Sequence, residues 1–518
     1  MTVAQPRDTA TFAWPVPLPR EVVAGEGPGF ILRARAAVMG DPTGIDVLTN
    51  LLSARTDGAI SLDSTATGPG ISLAVTDAET AESYRLIASA DGVEVVGSDA
   101  AGLFYGIQTL MQVIERTDDG WRVPAVQITD APRFAYRGVM LDVARHFFPV
   151  EVVLGVIDRA AQLKLNHLHL HLSDDQGWRI EIPSRSELTR LASATAIGRD
   201  PGGFYTAEDY ARIVAYAAAR HLTVVPEIDL PGHTHAVGLA YPDIVEPPVL
   251  SEHIREIVEA YGSTLPVAGK AYEGIAVGFS SLRIGEPATE AFVADVVSDL
   301  AAMTPGPYLH VGGDEALGTD PADYAAFVSL ASRIVADAGK VPVMWHEAGA
   351  APDLHPGTIG QYWGFVSPTD GMDAKARGFV ARGGRVILSP ADAVYLDMKD
   401  AEDSELGLTW ANGVTSVERA YAWEPASVLD GVAESDILGV EAALWTETVR
   451  TATDIDTLMF PRIAAAAEAA WSPAVERHPL RTWDSFRIRV AARAGLWDAL
   501  GIRFRRSPEI PWRDGDAS

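Results

Sequence analysis

The order of apolar and polar positions divides the chain into two regions of different texture. Before about residue 131, short β-type runs alternate with turns rich in Gly, Asp and Thr. These runs lie at 30–37, 71–75, 84–88 and 93–96. One helical stretch, 101–114, has an apolar stripe made of Leu103, Ile107, Leu110 and Val113. The pattern predicts a small α+β domain over residues 1–131, which ends at the Pro-containing segment 129–138.

From residue 138 onward, apolar strand-like runs alternate with helical stretches. The strand-like runs lie at 139–143, 167–172, 222–228, 308–311, 341–345, 358–363, 385–388 and 440–445. The helical stretches include 150–165, 207–219, 289–303 and 323–338. This alternation predicts an α/β fold, a (β/α)8 TIM barrel over residues 132–518, and we expect its Ala-rich tail from 455 to about 500 to close the barrel. An open doubly wound sheet is the alternative, but no G-x-G-x-x-G motif follows an early strand.

The composition of the chain excludes several partners and chemistries. The chain has 70 acidic and 41 basic residues, a formal net charge of −29. This argues against nucleic acid or an anionic membrane surface as a partner, since both need a positive field. The absence of cysteine excludes disulfides, thiolate metal sites and a cysteine nucleophile. The apolar runs are too short and interrupted to cross a bilayer, so we expect a soluble protein.

The first residues, 1–19, lack the basic start and apolar core of a signal peptide. They predict a cytoplasmic location, although a secreted chain whose leader had been removed would show the same sequence.

Polar residues gather where the predicted barrel strands end. They are Asp142 and Arg145, Asp174 and Asp175, Glu227 and Asp229, Asp314 and Glu315, His346 and Glu347, and Trp445 and Glu447. The carboxyl ends of barrel strands meet around one mouth, which is where barrel enzymes hold their active sites. Packing alone does not require this repetition over most of the strands, so it predicts an active site there.

The segment HVGGDE, residues 310–315, carries the sharpest chemical signal. Its two glycines allow the backbone to turn tightly and approach a ligand, and on such a turn Asp314 and Glu315 can converge on one pocket. Two close carboxylates do not both ionise cheaply, so one keeps its proton near neutral pH. A protonated carboxylic acid beside an ionised one is the equipment for glycosidic cleavage, although a solvated acidic turn would look the same in isolation.

Aromatic residues near the strand ends support a sugar-lined pocket. They are Trp178, Trp345, Trp363, Tyr395, Trp423 and Trp445. Flat sugar faces stack on such rings, and indole or phenol groups also donate hydrogen bonds. Core packing is the better explanation for any one tryptophan, but several beside Glu347, Asp397 and Glu447 favour a pocket.

The segment HLHLH, residues 167–171, leaves a metal-dependent alternative open. Alternation places its three imidazoles on one strand face, and His-x-His at a strand end can bind a catalytic metal. Together with His233, His235 and Asp314, it would make a metal-dependent hydrolase. Inward-facing histidines that only form a layer of the barrel core are the favoured explanation, so no metal and no cofactor are expected.

The sequence resembles family 20 glycoside hydrolases, the β-N-acetylhexosaminidases. The resemblance rests on RGVMLDVARHFFP (137–149), KLNHLHLHLSDDQGWR (164–179), VPEIDLPGHTHA (225–236), HVGGDE (310–315), MWHE (344–347), YLD (395–397) and ALWTE (443–447). These segments occur in the order typical of the family and span about 310 residues. The segment 92–112 is similar to the small N-terminal domain of the family.

The resemblance implies a retaining mechanism in which the 2-acetamido group of the substrate is the nucleophile, through an oxazolinium intermediate. Glu315 would protonate the leaving oxygen and then deprotonate water. Asp314 would orient the acetamide N–H and stabilise the developing charge, and Tyr395 would hold the acetamide oxygen.

The other roles also follow from the resemblance. Trp345, Trp363 and Trp445 would wall the acetamide pocket. Arg145 would bind the 3- and 4-hydroxyls of the sugar, and Glu447, with Asp397 in part, would bind its 4- and 6-hydroxyls. Asp174 and His233 would support the acid/base and tune its protonation.

The resulting prediction is an exo-enzyme that releases terminal N-acetylglucosamine and also N-acetylgalactosamine, with glucosamine preferred. Its partner would be an N-acetylhexosaminide oligosaccharide or glycoconjugate. A catalytically silent sugar-binding protein is the further alternative. The aglycone side is left open, because the loops 184–205 and 238–275 lie outside the motifs. The linkage and the oligomeric state are left open as well.

Overall fold

The structure is a computed structural model, and it describes residues 14–512. The segment 1–13, on which most of the signal-peptide prediction rests, lies outside the described residues, as does 513–518. Within 14–512, no helix combines the length and the apolar character needed to span a bilayer.

Contacts between residues divide the chain into two compact units. Of the described residues, the N-terminal unit holds 14–135, 161–164 and 460–512, and the barrel unit holds 136–160 and 165–459. The sequence-based boundary follows residue 131 and assigns everything after it to the barrel. The two divisions differ mainly in the C-terminal segment.

The N-terminal unit begins with ten strands and two helices. The strands are β1 (Glu21–Ala24), β2 (Phe30–Leu32), β3 (Arg35–Gly40), β4 (Ser61–Asp63), β5 (Gly70–Val75), β6 (Tyr84–Ser89), β7 (Gly92–Gly97), β8 (Glu115–Thr117), β9 (Gly120–Val123) and β10 (Val126–Asp130). The helices are α1 (Pro42–Thr56) and α2 (Ala100–Val113). Seven strands form one sheet in the order β1-β10-β6-β7-β5-β3-β4, and β2, β9 and β8 form a second.

These strands and helices confirm the predicted α+β character of this unit. Local sequence features explain why two of them form. In β7, Val93 and Val95 are buried and alternate with partly exposed residues, as expected of a sheet with one face in the core. Helix α2 begins after Asp99, whose side chain accepts a hydrogen bond from the Gly102 amide at 2.7 Å. Helix α1, which the sequence analysis did not predict, has only a weakly apolar face, with Leu48 and Leu52 buried.

The barrel unit contains ten strands and eleven helices. The strands are β11 (Tyr136–Asp142), β12 (His167–His171), β13 (Ser173–Asp174), β14 (Gly177–Trp178), β15 (Thr223–Glu227), β16 (Tyr308–His310), β17 (Val341–Trp345), β18 (Ile359–Tyr362), β19 (Val386–Leu388) and β20 (Ile437–Leu444). The helices are α3 (Val150–Gln162), α4 (Glu187–Ala192), α5 (Ala207–Ala218), α6 (Val237–Ala240), α7 (Glu252–Ala260), α8 (Pro287–Met303), α9 (Pro321–Asp337), α10 (Met372–Ala381), α11 (Ala391–Val394), α12 (Val417–Tyr421) and α13 (Ala452–Met459).

Eight of these strands close into a parallel barrel in the order β11-β12-β15-β16-β17-β18-β19-β20, which confirms the predicted fold. All eight predicted strands are present, and their ends differ from the prediction by three residues at most. The barrel is closed by the pairing of β11 with β20, in which Met140 lies opposite Ala443.

Residue contacts group the C-terminal helices differently from the sequence-based division. Its helices α14 (Arg462–Trp471), α15 (Trp483–Ala491) and α16 (Ala494–Ala499) belong to the N-terminal unit. They are not needed to close the barrel, since every edge of β11 and β20 is already paired within it. The Ala-rich pattern predicted the helices, but the buried partners of these helices are set by the tertiary structure.

The interior of the barrel is layered along its axis. At the amino ends of the strands, an apolar cluster fills the barrel, made of Tyr136, Val225, Val343, Ile359, Ile387 and Leu438. Farther along the strands the interior residues become polar, because His171 is in register with both Asp142 and Glu227, and Glu227 is in register with His310. The polar layer therefore lies toward the carboxyl ends, where the predicted site residues are found.

Candidate active site

The turn after β16 brings the two adjacent carboxylates of Asp314 and Glu315 to one place. Gly312 and Gly313 have φ of 66° and 102°, and Glu315 itself has φ of 42°, so the chain turns through the left-handed region. A Cβ atom on Gly312 would lie 1.7 Å from Asp229 Oδ1. Because of this turn, His233 Nε2 lies 3.7 Å from Asp314 Oδ2 and 3.8 Å from Glu315 Oε2.

Glu315 has the protonation state of a general acid. Burial raises the pKa of Glu315 to about 7, with the negative charge of Asp314 adding to the rise and His233 opposing it. Its side chain is still 35% exposed, whereas that of Asp314 is 10% exposed. A carboxyl group with this pKa, open to solvent on one side, can donate a proton and take one back near neutral pH.

Asp174, Arg145 and His233 form an ion-paired support behind the carboxylates. Asp174 accepts from Arg145 Nη2 at 2.8 Å and from His233 Nδ1 at 3.1 Å. Burial would raise the pKa of Asp174, but Arg145 and His233 hold it well below its usual range. Burial would likewise lower the pKa of His233, but Asp174 and Asp229 raise it well above its usual value.

Three of the predicted pocket aromatics lie together in one cluster. Trp345, Tyr395 and Trp445 are buried, with ring centroids 6.0 Å apart for the tryptophan pair and 6.2 Å apart for Tyr395 and Trp445. Trp363 packs against this cluster, and its indole N–H donates to Glu347 Oε2 at 3.0 Å. Burial raises the pKa of the Tyr395 hydroxyl well above its usual value, with the charge of Asp314 adding to the rise, so this hydroxyl stays protonated.

The structure gives the other two aromatic candidates a packing role. Trp178 is 1% exposed, donates to the Ile180 carbonyl at 2.7 Å and packs against Phe292. Trp423 is buried and donates to the Ala420 carbonyl at 3.1 Å. Both indoles are therefore satisfied by their own neighbourhood, as core packing requires.

Several buried polar atoms in the pocket have no hydrogen-bond partner among residues 14–512. Two of them are Arg145 Nε and Glu447 Oε2. The guanidinium of Arg145 also stacks over the Trp445 ring, with its carbon 4.7 Å from the ring centroid. Buried polar groups are normally paired, so convergent unpaired atoms beside aromatic rings indicate a binding site for a polar ligand with apolar faces. Asp397 lies beside Tyr395 and is 2% exposed.

Some polar residues at the strand ends hold the loops. Asp142 Oδ1 accepts from the Ala144 and Arg145 amides, and its Oδ2 accepts from the Thr446 amide and hydroxyl, at 2.8–3.1 Å. Asp175 Oδ1 accepts from the Ser280 hydroxyl at 2.6 Å and the His235 amide at 2.9 Å. These carboxylates fix the loops that carry the site.

The histidines of β12 lie at three depths of the barrel. His167 stacks on Tyr136 at a centroid distance of 3.9 Å, while His169 and His171 face carboxylates. Groups of potential metal ligands do occur in this region, such as His169, Glu227 and His310, with ligand atoms within 4.8 Å of one another. Their contacts have the lengths of hydrogen-bonded ion pairs, and a cation would bind there only by displacing those pairs.

Trp410 was not predicted from the sequence, and neither was the task of Asp229, which was named only as one of the polar residues at the strand ends. Trp410 is 44% exposed, and its ring centroid lies 5.9 Å from that of Trp363 and 5.7 Å from that of Tyr395. It lies in an irregular loop, so no strand pattern marked it. Asp229 Oδ1 accepts from the Gly313 amide at 3.1 Å and so holds the catalytic turn.

Comparison with known proteins agrees with this geometry. The model of the glycosyl hydrolase family 20 catalytic domain matches residues 134–474, and that of domain 2 of the same family matches 16–131. A β-N-acetylhexosaminidase of Cellulomonas fimi is 44% identical over 432 residues, which are 83% of this chain and 82% of that protein.

Solved structures are also similar over almost the whole length. A glycoside hydrolase family 20 β-N-acetylglucosaminidase superposes with a TM-score of 0.91 and 58% identity, covering 97% of this chain and 100% of the other. Streptomyces plicatus N-acetyl-β-hexosaminidase, solved in complex with Thio-NAglucal, has a TM-score of 0.86 and 41% identity, covering 98% and 99%. The chain therefore belongs to glycosyl hydrolase family 20 and is a glycoside hydrolase of the β-N-acetylhexosaminidase type.

Proposed function

We propose that the protein is a retaining exo-β-N-acetylhexosaminidase in which the acetamide of the substrate attacks its own anomeric carbon. The observation that carries the proposal is that the charge of Asp314 acts on the Tyr395 hydroxyl, which lies in the buried cluster that also holds Trp345 and Trp445. A planar acetamide between these groups would give its N–H to Asp314 and accept from Tyr395 at its oxygen.

The two carboxylates have different tasks in this proposal. A conventional retaining enzyme has an acid and a nucleophilic carboxylate on opposite faces of the sugar, about 5–5.5 Å apart. Asp314 and Glu315 are neighbours on one turn, and both approach the same atom, His233 Nε2, at 3.7 and 3.8 Å. We therefore assign the acetamide to Asp314 and the leaving oxygen to Glu315, whose pKa of about 7 suits an acid/base.

The reaction proceeds in two steps. In the first, the acetamide oxygen bonds to the anomeric carbon while Glu315 protonates the departing oxygen, and Asp314 stabilises the positive charge on the amide nitrogen. In the second, Glu315 takes a proton from a water molecule as that water attacks the anomeric carbon. The bond between the acetamide oxygen and the anomeric carbon breaks, so the oxazolinium ring opens. Intramolecular attack gains several kcal/mol over an external nucleophile because the entropy of approach is already spent in binding.

The tryptophans and charged residues complete the subsite. Trp345, Trp363 and Trp445 would enclose the acetamide and exclude water. Arg145 and Glu447, with their unpaired Nε and Oε2 atoms, would bind hydroxyls of the ring, with Asp397 beside them. We propose that both N-acetylglucosaminides and N-acetylgalactosaminides are cleaved, with the glucosaminides preferred.

The test uses two leaving groups and two variants. In Glu315→Gln, kcat/KM should fall by roughly 10²–10⁴-fold on a disaccharide, whose leaving group needs the proton, and by much less on a nitrophenyl glycoside. In Asp314→Asn, kcat should fall by on the order of 10²–10³-fold on both substrates, because the amide loses its anionic partner.

The matched substrate control is the aryl β-glucoside, which has a hydroxyl in place of the acetamide. It should not be turned over at a comparable rate, and a thiazoline analogue of the cyclised acetamide should inhibit the wild-type enzyme strongly. Equal hydrolysis of the glucoside, or a covalent glycosyl–protein adduct trapped by rapid quench, would contradict the proposal.

A further inference from the structure

Glu227 lies below the substrate pocket. It contacts both the aromatic wall of the pocket and the residues that support the acid/base. Its Oε1 accepts from the Trp345 indole N–H at 2.8 Å, and its Oε2 accepts from His171 Nδ1 at 2.5 Å. Trp345 belongs to the aromatic wall, while His171 leads toward Arg145 and the support of the acid/base. The side chain of Glu227 is fully buried, so neither contact is shared with bulk water.

A series of alternating carboxylates and imidazoles connects Glu227 to the acid/base. His171 Nε2 contacts Asp174 Oδ2 at 2.9 Å, Asp174 Oδ1 contacts His233 Nδ1 at 3.1 Å, and His233 Nε2 lies 3.8 Å from Glu315 Oε2. We refer to Glu227, His171, Asp174 and His233 as the acid–imidazole chain. Asp174 and the two histidines each contact the residue before them with one polar atom and the residue after them with the other. A displacement of one side chain is therefore passed to the next.

The contacts of His171 determine its protonation. Both ring nitrogens face carboxylate oxygens, and a neutral imidazole can donate from only one of its nitrogens. The two carboxylates therefore favour a ring with two protons and a positive charge, whereas the charge of Arg145 opposes it. The charged groups that face it are Glu227 from β15, Asp174 from the segment after β12, and Arg145, whose Nη1 lies 3.3 Å from His171 Nε2. Burial would lower the pKa of His171, but Glu227 and Asp174 raise it to about 9.

We infer that Glu227 is a positioning residue for the hydrolysis. It keeps His171 charged, so that Asp174 holds Arg145 and His233 in place, and it fixes the Trp345 indole in the acetamide wall. This inference rests on the proposed function. None of the motif residues assigned a role from the family resemblance performs this task.

The test variant is Glu227→Gln. Its amide oxygen can still accept from the Trp345 indole, but its NH2 group would then face His171 Nδ1 and also His169 Nε2, which lies 3.0 Å from Oε2 in the wild type, so neither ring keeps its anionic partner there. Without the charge of Glu227, and with Arg145 still nearby, the pKa of His171 falls from about 9 toward its ordinary value. We expect kcat/KM at pH 7 to fall by on the order of 10²-fold through loss of geometry at the site.

The diagnostic measurement is the pH dependence of this loss. The ratio of wild-type to variant kcat/KM should rise between pH 5 and pH 8, because His171 is still charged at the lower pH in the variant. A variant that is only less stable would show a lower melting temperature and a ratio that does not change with pH. That result, or full activity of Glu227→Gln, would overturn the inference.

Glu441→Gln is the matched control, since it makes the same change at a buried carboxylate, on β20, that contacts His169 and not His171. Glu441 contacts His169 Nδ1 at 2.8 Å, the Tyr136 hydroxyl at 2.5 Å and Gln361 Nε2 at 2.6 Å, all below the pocket. We expect a smaller loss of kcat/KM, with a weaker dependence of its ratio to wild type on pH, because the carboxylate removed raises the pKa of His169 and not that of His171. A pH-dependent loss equal to that of Glu227→Gln would remove the special role of Glu227.

Two further measurements separate the possible failures. If Glu227→Gln does not fold, ¹⁵N-histidine NMR of the wild-type protein, assigned with His171→Gln, should show His171 as an imidazolium at pH 8. A neutral ring there would overturn the inference. If the wild-type enzyme fails to hydrolyse the hexosaminides, the proposed function fails first, whereas an active wild type with an unaffected Glu227→Gln variant contradicts this inference alone.

Discussion

Two neighbouring carboxyl groups acquire different properties from their surroundings. Asp314 is nearly buried beside the aromatic wall, while Glu315 is 35% exposed and faces His233 and Asp314 together. The Asp-Glu dipeptide was identified from the sequence, as was its position on a glycine turn. The sequence did not identify the roles of Glu227 and Asp229. Glu227 contacts residues that are 56 and 118 positions away in the chain, and Asp229 acts on a backbone amide, which no side-chain pattern reveals.

The pKa of Glu315 predicts that the pH profile of kcat/KM shifts in opposite directions in two variants. The acid form of Glu315 is active in the first step, so kcat/KM should fall as pH rises through about 7. In Asp314→Asn the neighbouring negative charge is lost, the pKa of Glu315 falls, and this limb should move to lower pH. In His233→Gln the positive charge is lost, and the limb should move to higher pH.

Profiles of kcat/KM between pH 4 and pH 9 on one hexosaminide check this prediction. Shifts of the same sign in the two variants would show that direct charge interaction does not set the pKa of Glu315.

At the scale of the elements, the barrel strands and the loops after them behave differently. Apolar runs and their spacing predicted all eight barrel strands, since a strand buried on both faces shows itself as a short continuous apolar segment. The loops carry the chemistry, and their conformations depend on contacts that are distant in sequence. Gly312 illustrates this. Its φ of 66° favours glycine, and Asp229, which is distant in sequence, approaches it so closely that a Cβ atom would not fit.

Gly312→Ala should disrupt the catalytic turn. Its Cβ would lie 1.7 Å from Asp229 Oδ1 at a positive φ, so we expect a loss of about 2–4 kcal/mol in the free energy of unfolding. Because the turn carries Asp314 and Glu315, activity should fall well beyond the loss of folded protein. Urea denaturation and kcat of the folded fraction measure the two effects.

Gly357→Ala is the control for backbone conformation alone. Gly357 has φ of 81°, and a Cβ there would have nothing within 4 Å. We expect a loss of about 1 kcal/mol and unchanged kcat. An equal effect of the two alanine substitutions would show that the contact with Asp229 is unimportant.

At the scale of the whole molecule, the N-terminal unit is assembled from three separate stretches of the chain. Lys164, Asp130 and Trp471 come from one stretch each and meet in its interior. Lys164 Nζ lies 3.0 Å from Asp130 Oδ2 and 4.6 Å from the centroid of the Trp471 ring, and both charged side chains are fully buried. The Trp471 indole also donates to Asp130 Oδ2 at 2.9 Å.

Lys164→Met should strongly destabilise this unit. The substitution keeps most of the volume but leaves the buried Asp130 carboxylate without its cation, and the expected cost is about 3–5 kcal/mol. Arg85→Met is the control, since the pair of Arg85 with Glu94 is exposed and its loss should cost at most about 1 kcal/mol.

Thermal and urea unfolding of both variants check this prediction. Similar stability of the two variants would show that the buried pair contributes no more than a surface pair.

The sequence by itself determined the strands of the barrel, their order along the chain and the residue types at their carboxyl ends. These follow from local periodicity and from the rule that parallel strands expose their ends at one mouth. Only the tertiary structure decided which buried charges pair, as in Glu227 with His171 and Trp345, and which unit the helices after Phe460 join. The physical reason is that burial makes an unpaired charge costly, so each must find a partner in space, and that partner can lie anywhere in the sequence.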